Sequence, residues 1–153
     1  MAIITRDTQE GREFSGKPKN ITEERVYAFS GGFPKGPGGP QKNIHTDVEF
    51  ARRCGLPDRN ASGSMFEGYL TELMVDLFGE NWLREGKMEL VFIRMVTIGD
   101  TVLPKAIVQS REEDHSGTRF VLEIWCENQH GDKVAVGTAT GSSSIRERDR
   151  YSA

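Results

Sequence analysis

The clearest pattern of apolar and polar positions along the chain lies between residues 64 and 78. Apolar side chains recur there at i, i+3, i+4 and i+7, the spacing that places them on one face of an α-helix. They are Phe66, Tyr69, Leu70, Leu73, Met74, Leu77 and Phe78. Met65 and Val75 add apolar surface on other faces, and Gly79 follows as a helix terminator. The pattern predicts one helix, at about 64–78, that is buried on most of its sides.

After this helix the pattern changes to the alternation that is typical of β-strands. Runs rich in β-branched and aromatic residues, separated by turn residues, predict strands at about 88–96, 101–111, 119–128 and 133–145. Helices followed by antiparallel strands, with one nearly all-apolar helix, indicate the α+β class. We therefore expect an antiparallel sheet that wraps around the 64–78 helix.

Two shorter helices are predicted before the central one. Thr22 can cap a helix that runs to about Phe29. A second helix is predicted at about 47–54, with Thr46-x-x-Glu49 as a capping box and Gly55 just past its end. Between the two, residues 31–40 contain five glycines and three prolines, a composition that predicts a loop over a cleft.

The chain of 153 residues is expected to form a single domain at 21–146, between a polar segment at 1–20 and a charged tail at 147–153. Its formal charge of −3 gives no indication of nucleic-acid binding. No run reaches the roughly 18 apolar residues that a membrane span needs, and the first residues lack a secretory pattern. Cys54 and Cys126 are too few for a disulfide framework or a zinc site. We expect a cytoplasmic protein with no membrane partner and no bound metal.

His45 is the first candidate for chemistry, because it stands directly before the predicted 47–54 helix. A neutral imidazole can accept or give a proton near pH 7. The alternative is a histidine that only packs ahead of a helix and bonds to the backbone. Asp47 follows two residues later, where it could orient His45 or serve only as favourable charge at a helix N-terminus.

The start of the central helix is the second candidate feature. Its free N–H groups can stabilise negative charge on a carbonyl oxygen, and Gly63 would permit close approach of a substrate. The candidate oxyanion region consists of Ser62, Gly63, Ser64 and Met65. Glu67 has two interpretations, as the last residue of a Ser64-x-x-Glu67 capping box or as a catalytic carboxylate one turn into the helix.

Four runs of residues around and beyond these features form a known pattern. They are Ile44-His45-x-Asp47-x(3)-Ala51-x(3)-Gly55, Ala61-x-Gly63-x-Met65, Phe92-x(3)-Val96-x(2)-Gly99-Asp100-Thr101 and Val136-Gly137-Thr138-Ala139. Together they resemble the MaoC-like hot-dog acyl dehydratases, a family that includes the (R)-specific 2-enoyl-CoA hydratases. The resemblance extends over about residues 22–145.

The resemblance implies a hot-dog fold and a homodimer or higher homo-oligomer, with an acyl-thioester tunnel at the subunit interface. It implies no cofactor beyond the coenzyme A or carrier protein that bears the thioester substrate. In the family, a histidine and an aspartate activate a water for syn addition to an enoyl thioester, or catalyse the reverse elimination. The thioester carbonyl binds an N–H group at a glycine-containing helix start. His45 matches that histidine, and Gly63 matches the oxyanion region.

The chain departs from the family at the aspartate. The usual run is Asp-x-Asn-Pro-x-His, and here Pro40 stands at the aspartate position while Lys42 and Asn43 replace the Asn-Pro pair. The first hypothesis is therefore a hydratase- or dehydratase-like lyase with His45 as its principal acid/base, helped by Asp47 or Glu67. The alternatives are a hot-dog thioesterase, isomerase or cyclase that uses Glu67, and a non-catalytic subunit that binds acyl thioesters.

Overall fold

A six-stranded antiparallel sheet and one long helix dominate the computed structural model, which describes residues 3–31, 42–115 and 117–144. The helices in these ranges are α1 (Glu23–Ser30), α2 (Val48–Arg53), α3 (Gly63–Phe78) and α4 (Glu80–Glu85). The strands are β1 (Glu13–Ser15), β2 (Lys19–Asn20), β3 (Lys87–Phe92), β4 (Thr101–Asp114), β5 (Gly117–Asn128) and β6 (Lys133–Ser144). Their order in the sheet is β1-β4-β5-β6-β3, and β2 pairs with β4 as well.

The central helix α3 supplies the core, as its apolar periodicity predicts. Its buried side chains are Met65, Phe66, Leu70, Leu73, Met74, Leu77 and Phe78. They belong to one cluster with buried residues of the sheet, including Val108 of β4, Phe120 and Leu122 of β5, and Ala139 of β6. Each large side chain buried in this way contributes about 1.5–3 kcal/mol relative to exposure. The predicted α+β architecture, with a sheet packed around the 64–78 helix, is confirmed.

The small residues of β6 allow the other elements to approach it closely. A Cβ atom on Gly141 would lie 2.8 Å from the ring of Phe78 near the C-terminus of α3. A Cβ atom on Gly137 would lie 1.9 Å from the carbonyl oxygen of Glu89 in the neighbouring strand β3. β6 therefore holds both α3 and β3 in contact because these two positions lack side chains.

Three features differ from the sequence-based expectation. β3 ends at Phe92 rather than near residue 96, because the N–H groups of Ile93 and Arg94 both donate to Val134 O and break the regular ladder. The polar segment 1–20 contains β1 and β2, which extend the sheet beyond the expected start of the domain. Helix α4 had no counterpart among the predicted elements. Most of the predicted 31–40 loop and the charged tail lie outside the described residues.

Candidate active site at the start of the central helix

A short turn ahead of α2 positions His45, and Asn43 organises that turn. The Asn43 side chain accepts from His45 N–H at 2.8 Å and donates to Ser30 O, at the end of α1, at 2.9 Å. Asn43 N–H donates to Thr46 Oγ1 at 3.1 Å, so the Thr46 hydroxyl closes the turn. The predicted Thr46-x-x-Glu49 capping box is wrong, because the N-cap residue is not Thr46. Asp47 is the N-cap of α2, and its Oδ1 accepts from Phe50 N–H at 2.8 Å.

The imidazole of His45 is half-buried and held by one strong contact. Its Nδ1 lies 2.7 Å from Asn60 O. A carbonyl oxygen can only accept, so Nδ1 carries the hydrogen and the neutral ring keeps its free lone pair on Nε2. Within the described part of the chain Nε2 has no hydrogen-bond partner, and it is therefore the nitrogen available to exchange protons with a substrate.

The residue that bonds this imidazole lies just before the N-terminus of α3. Asn60, which bonds His45, precedes Gly63 by three residues, a span of at most about 11 Å of backbone. The N-cap Ser62 makes no side-chain capping bond. The N–H groups of Gly63 and Ser64 have no intrahelical acceptor because they belong to the first turn. This uncapped helix start, with its partial positive charge, can bind a carbonyl oxygen that gains negative charge.

The predicted Ser64-x-x-Glu67 capping box is also wrong. Ala61 N–H bonds Val96 O at 2.8 Å, which ties the chain before the helix to the segment after β3. Ser62 O then accepts from Met65 N–H at 3.0 Å, so the helix already includes Ser64. Glu67 lies on an exposed surface of α3 without a capping role. Its carboxylate therefore remains available for other contacts, and its predicted catalytic role stays a prediction.

Gly63 is in contact with an aromatic ring. A Cβ atom at this position would lie 2.9 Å from two carbons of the Phe92 ring, closer than the ordinary range of 3.4–4 Å. Phe92 also packs edge-on against Phe66, with ring centroids 6.3 Å apart, while 48% of its surface remains exposed. The glycine is thus required by the packing of Phe92, a contact that the sequence interpretation did not include.

The carboxylate of Asp47 contacts residues other than His45. Besides the capping bond to Phe50 N–H, its carboxylate lies 3.3 Å from Lys42 Nζ. The hydrogen bond from Phe50 N–H, with help from Lys42, lowers the pKa of Asp47 below its usual value. These contacts favour the interpretation of Asp47 as a helix cap. Its predicted assistance to His45 stays a prediction.

A cavity of about 550 Å³, widely open to solvent, lies between β2, α1 and α3. Its lining comprises Lys19, Arg25, Ala28, Phe29, Met65, Gly68 and Tyr69. Met65 belongs to the candidate oxyanion region, so the cavity adjoins the first turn of α3. The sequence interpretation missed the cavity, because Lys19 and Arg25 fall in polar stretches that gave no sign of contact with α3. Across residues 3–31, 42–115 and 117–144, no cluster of three or more His, Cys, Asp or Glu side chains is placed to hold a metal ion.

Comparison with known proteins identifies the fold. No protein-family profile matches the chain, and no curated protein sequence matches it. Solved protein structures, in contrast, match the fold of the chain. A MaoC-like dehydratase from Rhodospirillum rubrum superimposes with a TM-score of 0.71 at 20% identity, covering 92% of this chain and 95% of its own. The R-hydratase PhaJ1 from Pseudomonas aeruginosa gives 0.69 at 20% identity, with coverages of 93% and 87%. A monoamine oxidase regulatory protein from Archaeoglobus gives 0.69 at 23% identity, with coverages of 94% and 95%.

The chain therefore has the hot-dog fold, over nearly the full length of proteins described as MaoC-like dehydratases and (R)-hydratases. The resemblance seen in the sequence is confirmed at this level. No helix among the described residues has the length and apolar character that crossing a membrane requires.

Proposed function

We propose that the protein is an acyl-thioester lyase of the hydratase or dehydratase type, with His45 as its main acid/base. One observation carries the proposal. The imidazole is bonded through Nδ1 to Asn60 O, three residues before an uncapped helix start, and its Nε2 is left free. A proton-transfer group beside N–H donors is the combination that chemistry next to a thioester carbonyl requires. The similarity of fold to hydratases and dehydratases supports the same class of reaction.

In the dehydration direction, the carbonyl oxygen of a β-hydroxyacyl thioester binds the N–H groups of Gly63 and Ser64. His45 Nε2 removes the proton next to the carbonyl, and the electron pair moves onto the oxygen as an enolate. When the carbonyl re-forms, the C–O bond to the β-hydroxyl breaks. The departing hydroxyl takes the proton from the imidazolium and leaves as water. Hydration is the reverse sequence, and coenzyme A or a carrier protein bears the thioester.

One imidazole can serve both proton transfers when the hydrogen and the hydroxyl leave from the same face of the substrate. Under this proposal an assisting carboxylate is helpful but not essential. Of the two predicted carboxylates, Glu67 is the less engaged, because it is exposed and has no capping role, whereas Asp47 is engaged by Phe50 N–H and Lys42.

The test compares His45→Ala with His130→Ala, a matched change at a histidine in an exposed turn. We expect His45→Ala to lower kcat/KM for an enoyl-CoA by about 100- to 10,000-fold, and His130→Ala to leave it unchanged. Loss of the enoyl absorbance measures hydration, and release of free thiol measures hydrolysis. Full activity of His45→Ala would refute the proposal. Thiol release without hydration would identify a thioesterase instead.

We also propose that the active form is a homodimer or a higher homo-oligomer, joined at the free edge of β3. In the described sheet this strand pairs with β6 on one side only. The apolar side chains exposed along and just after it are Val91, Phe92, Ile93 and Met95. An open strand edge with such side chains promotes association, so a second copy is its natural cover. The molar mass in solution tests this proposal.

A further inference from the structure

The cavity between β2, α1 and α3 combines apolar walls with positive charge. The side chains of Phe29, Met65 and Tyr69 form the walls, and Lys19 and Arg25 contribute the charge. Its volume of about 550 Å³ falls within the range typical of small-molecule sites, roughly 300–1,000 Å³. Apolar walls with a few charged groups are suited to an organic molecule that carries an anion at one end.

Of the two cations, Arg25 is the one with donors to spare. The ammonium of Lys19 already pairs with Glu72 and lies 5.5 Å from the centre of the Tyr69 ring. Arg25 is exposed and uses Nη1 to donate to Asn20 O at 3.0 Å. Its other N–H groups have no acceptor in the described residues. A guanidinium with free donors can bind a carboxylate through two parallel hydrogen bonds.

The α3 surface inside the cavity has space for such a ligand. A Cβ atom on Gly68 would meet nothing within 4 Å, so this glycine is not needed to pack another part of the described chain. Glycine within a helix costs about 0.5–1 kcal/mol relative to alanine. The Tyr69 hydroxyl has no hydrogen-bond partner among the described residues, and burial raises its pKa, so it remains a hydrogen-bond donor at neutral pH. The space over Gly68 and the hydroxyl donor of Tyr69 are suited to binding the end of a ligand at this point.

The cavity is also connected to the proposed catalytic centre. Met65 lines it and belongs to the first turn of α3, where the thioester carbonyl is proposed to bind. Gly68 and Tyr69 lie five and six residues after Gly63, which corresponds to about 8–9 Å along the helix axis. That distance equals roughly six to seven carbon–carbon bonds of a zigzag chain. It is short for an extended pantetheine arm, which has two amide groups between its thiol and its phosphate.

We propose that this cavity receives the distal end of the acyl group, and that the preferred acyl groups end in an anion such as a carboxylate. Arg25 binds the anion, the Tyr69 hydroxyl donates to it, and the apolar walls pack against the acyl chain between the anion and the carbonyl. This inference rests on the proposed function, because it places the thioester carbonyl at the start of α3.

The experiment measures binding without turnover, using the saturated thioesters octanoyl-CoA and suberyl-CoA, which differ in whether the chain ends in a methyl group or a carboxylate. Isothermal titration calorimetry is run on the wild-type protein, on Arg25→Gln, and on Arg84→Gln, a matched change at an exposed position of α4. We expect the wild type and Arg84→Gln to bind suberyl-CoA about tenfold or more tightly than octanoyl-CoA. Arg25→Gln should bind the two thioesters about equally. Gly68→Leu should weaken the binding of both thioesters by filling the cavity, and its melting temperature is measured to check that it folds.

Equal binding of the two thioesters by the wild type would overturn the inference, and so would a preference that survives in Arg25→Gln. A third outcome would also overturn it: Arg25→Gln weakens the binding of both CoA thioesters alike, and pantetheine thioesters without phosphate bind equally to the wild type and to this variant. The anion that Arg25 binds would then be a coenzyme phosphate, and the assignment of the cavity to the acyl group would be wrong. His45→Ala separates the two proposals. Full turnover by that variant refutes the catalytic role of His45, whereas its preference for suberyl-CoA tests the cavity alone.

Discussion

Gly63→Ala provides a sharp test of why a glycine starts the central helix. The added methyl group would lie 2.9 Å from the Phe92 ring, inside the ordinary contact range of 3.4–4 Å. Overpacking of this kind costs about 1–3 kcal/mol, and alanine recovers a few tenths of a kcal/mol at a helix terminus. Because the Phe92 ring is 48% exposed and can shift, we expect a net loss of about 1–2 kcal/mol. For a chain of 153 residues this corresponds to a melting temperature lower by about 2–8 °C.

The control is the same substitution in a Phe92→Ala background, measured by urea unfolding at one fixed protein concentration. Without the ring, Gly63→Ala should become neutral or slightly stabilising, so its destabilising effect on the free energy of unfolding disappears. An equal loss of stability in both backgrounds would refute the packing argument. A loss of turnover that persists after stability is restored would show that the glycine also serves substrate approach, as the sequence alone suggested.

Two further changes test the helix cap and the subunit contact. Asp47→Ala removes the carboxylate that accepts from Phe50 N–H. In the wild type this hydrogen bond lowers the pKa of Asp47, so it stabilises the folded state at pH values above the unfolded pKa of the carboxyl group. That stabilisation is lost as the pH falls through the folded pKa. The gap in melting temperature between wild type and variant should therefore be widest at neutral pH and narrow in acid; a gap independent of pH would contradict this. For Ile93→Lys, light scattering should report a smaller particle than for the wild type, whereas Leu83→Lys, at another exposed apolar position, should not change the mass. An unchanged mass for Ile93→Lys would exclude the β3 edge as the contact.

The parts of the fold that the sequence predicted are those whose pattern is local. Helix α3 could be predicted because its periodicity extends over four turns, and strands β4, β5 and β6 because their alternation is long. Strands β1 and β2 have three and two residues, too few for a pattern, and exist because β4 offers them an edge. Helix α4 follows Gly79, which reads as the end of a helix and here also begins the next one.

The same distinction applies to the candidate site. His45 and the start of α3 could each be identified from its own residue type and its immediate neighbours in the chain. The contact that links them, from His45 Nδ1 to Asn60 O, joins positions 15 residues apart and left no trace in the sequence. The contact between Phe92 and Gly63 joins more distant positions still. Both capping boxes were wrong, for different reasons. At α2 the local turn between Asn43 and Thr46 leaves Asp47 as the cap. At α3 the tertiary hydrogen bond from Ala61 N–H to Val96 O fixes the chain just before the helix.

Asn43 lies in the part of the sequence that departs from the resembled family pattern, and it organises the turn that carries His45. It stands where the family pattern has proline, and its side chain joins the His45 backbone to Ser30 at the end of α1, while its own N–H and C=O groups bond to Thr46. A proline has neither this amide nor a backbone N–H. A site with a single acid/base group depends strongly on orientation, because the same Nε2 must reach two substrate atoms in succession, and small misplacements are costly in such reactions. Under the proposed function, the contacts of Asn43 therefore help to orient the single acid/base group, because they fix the backbone that carries His45.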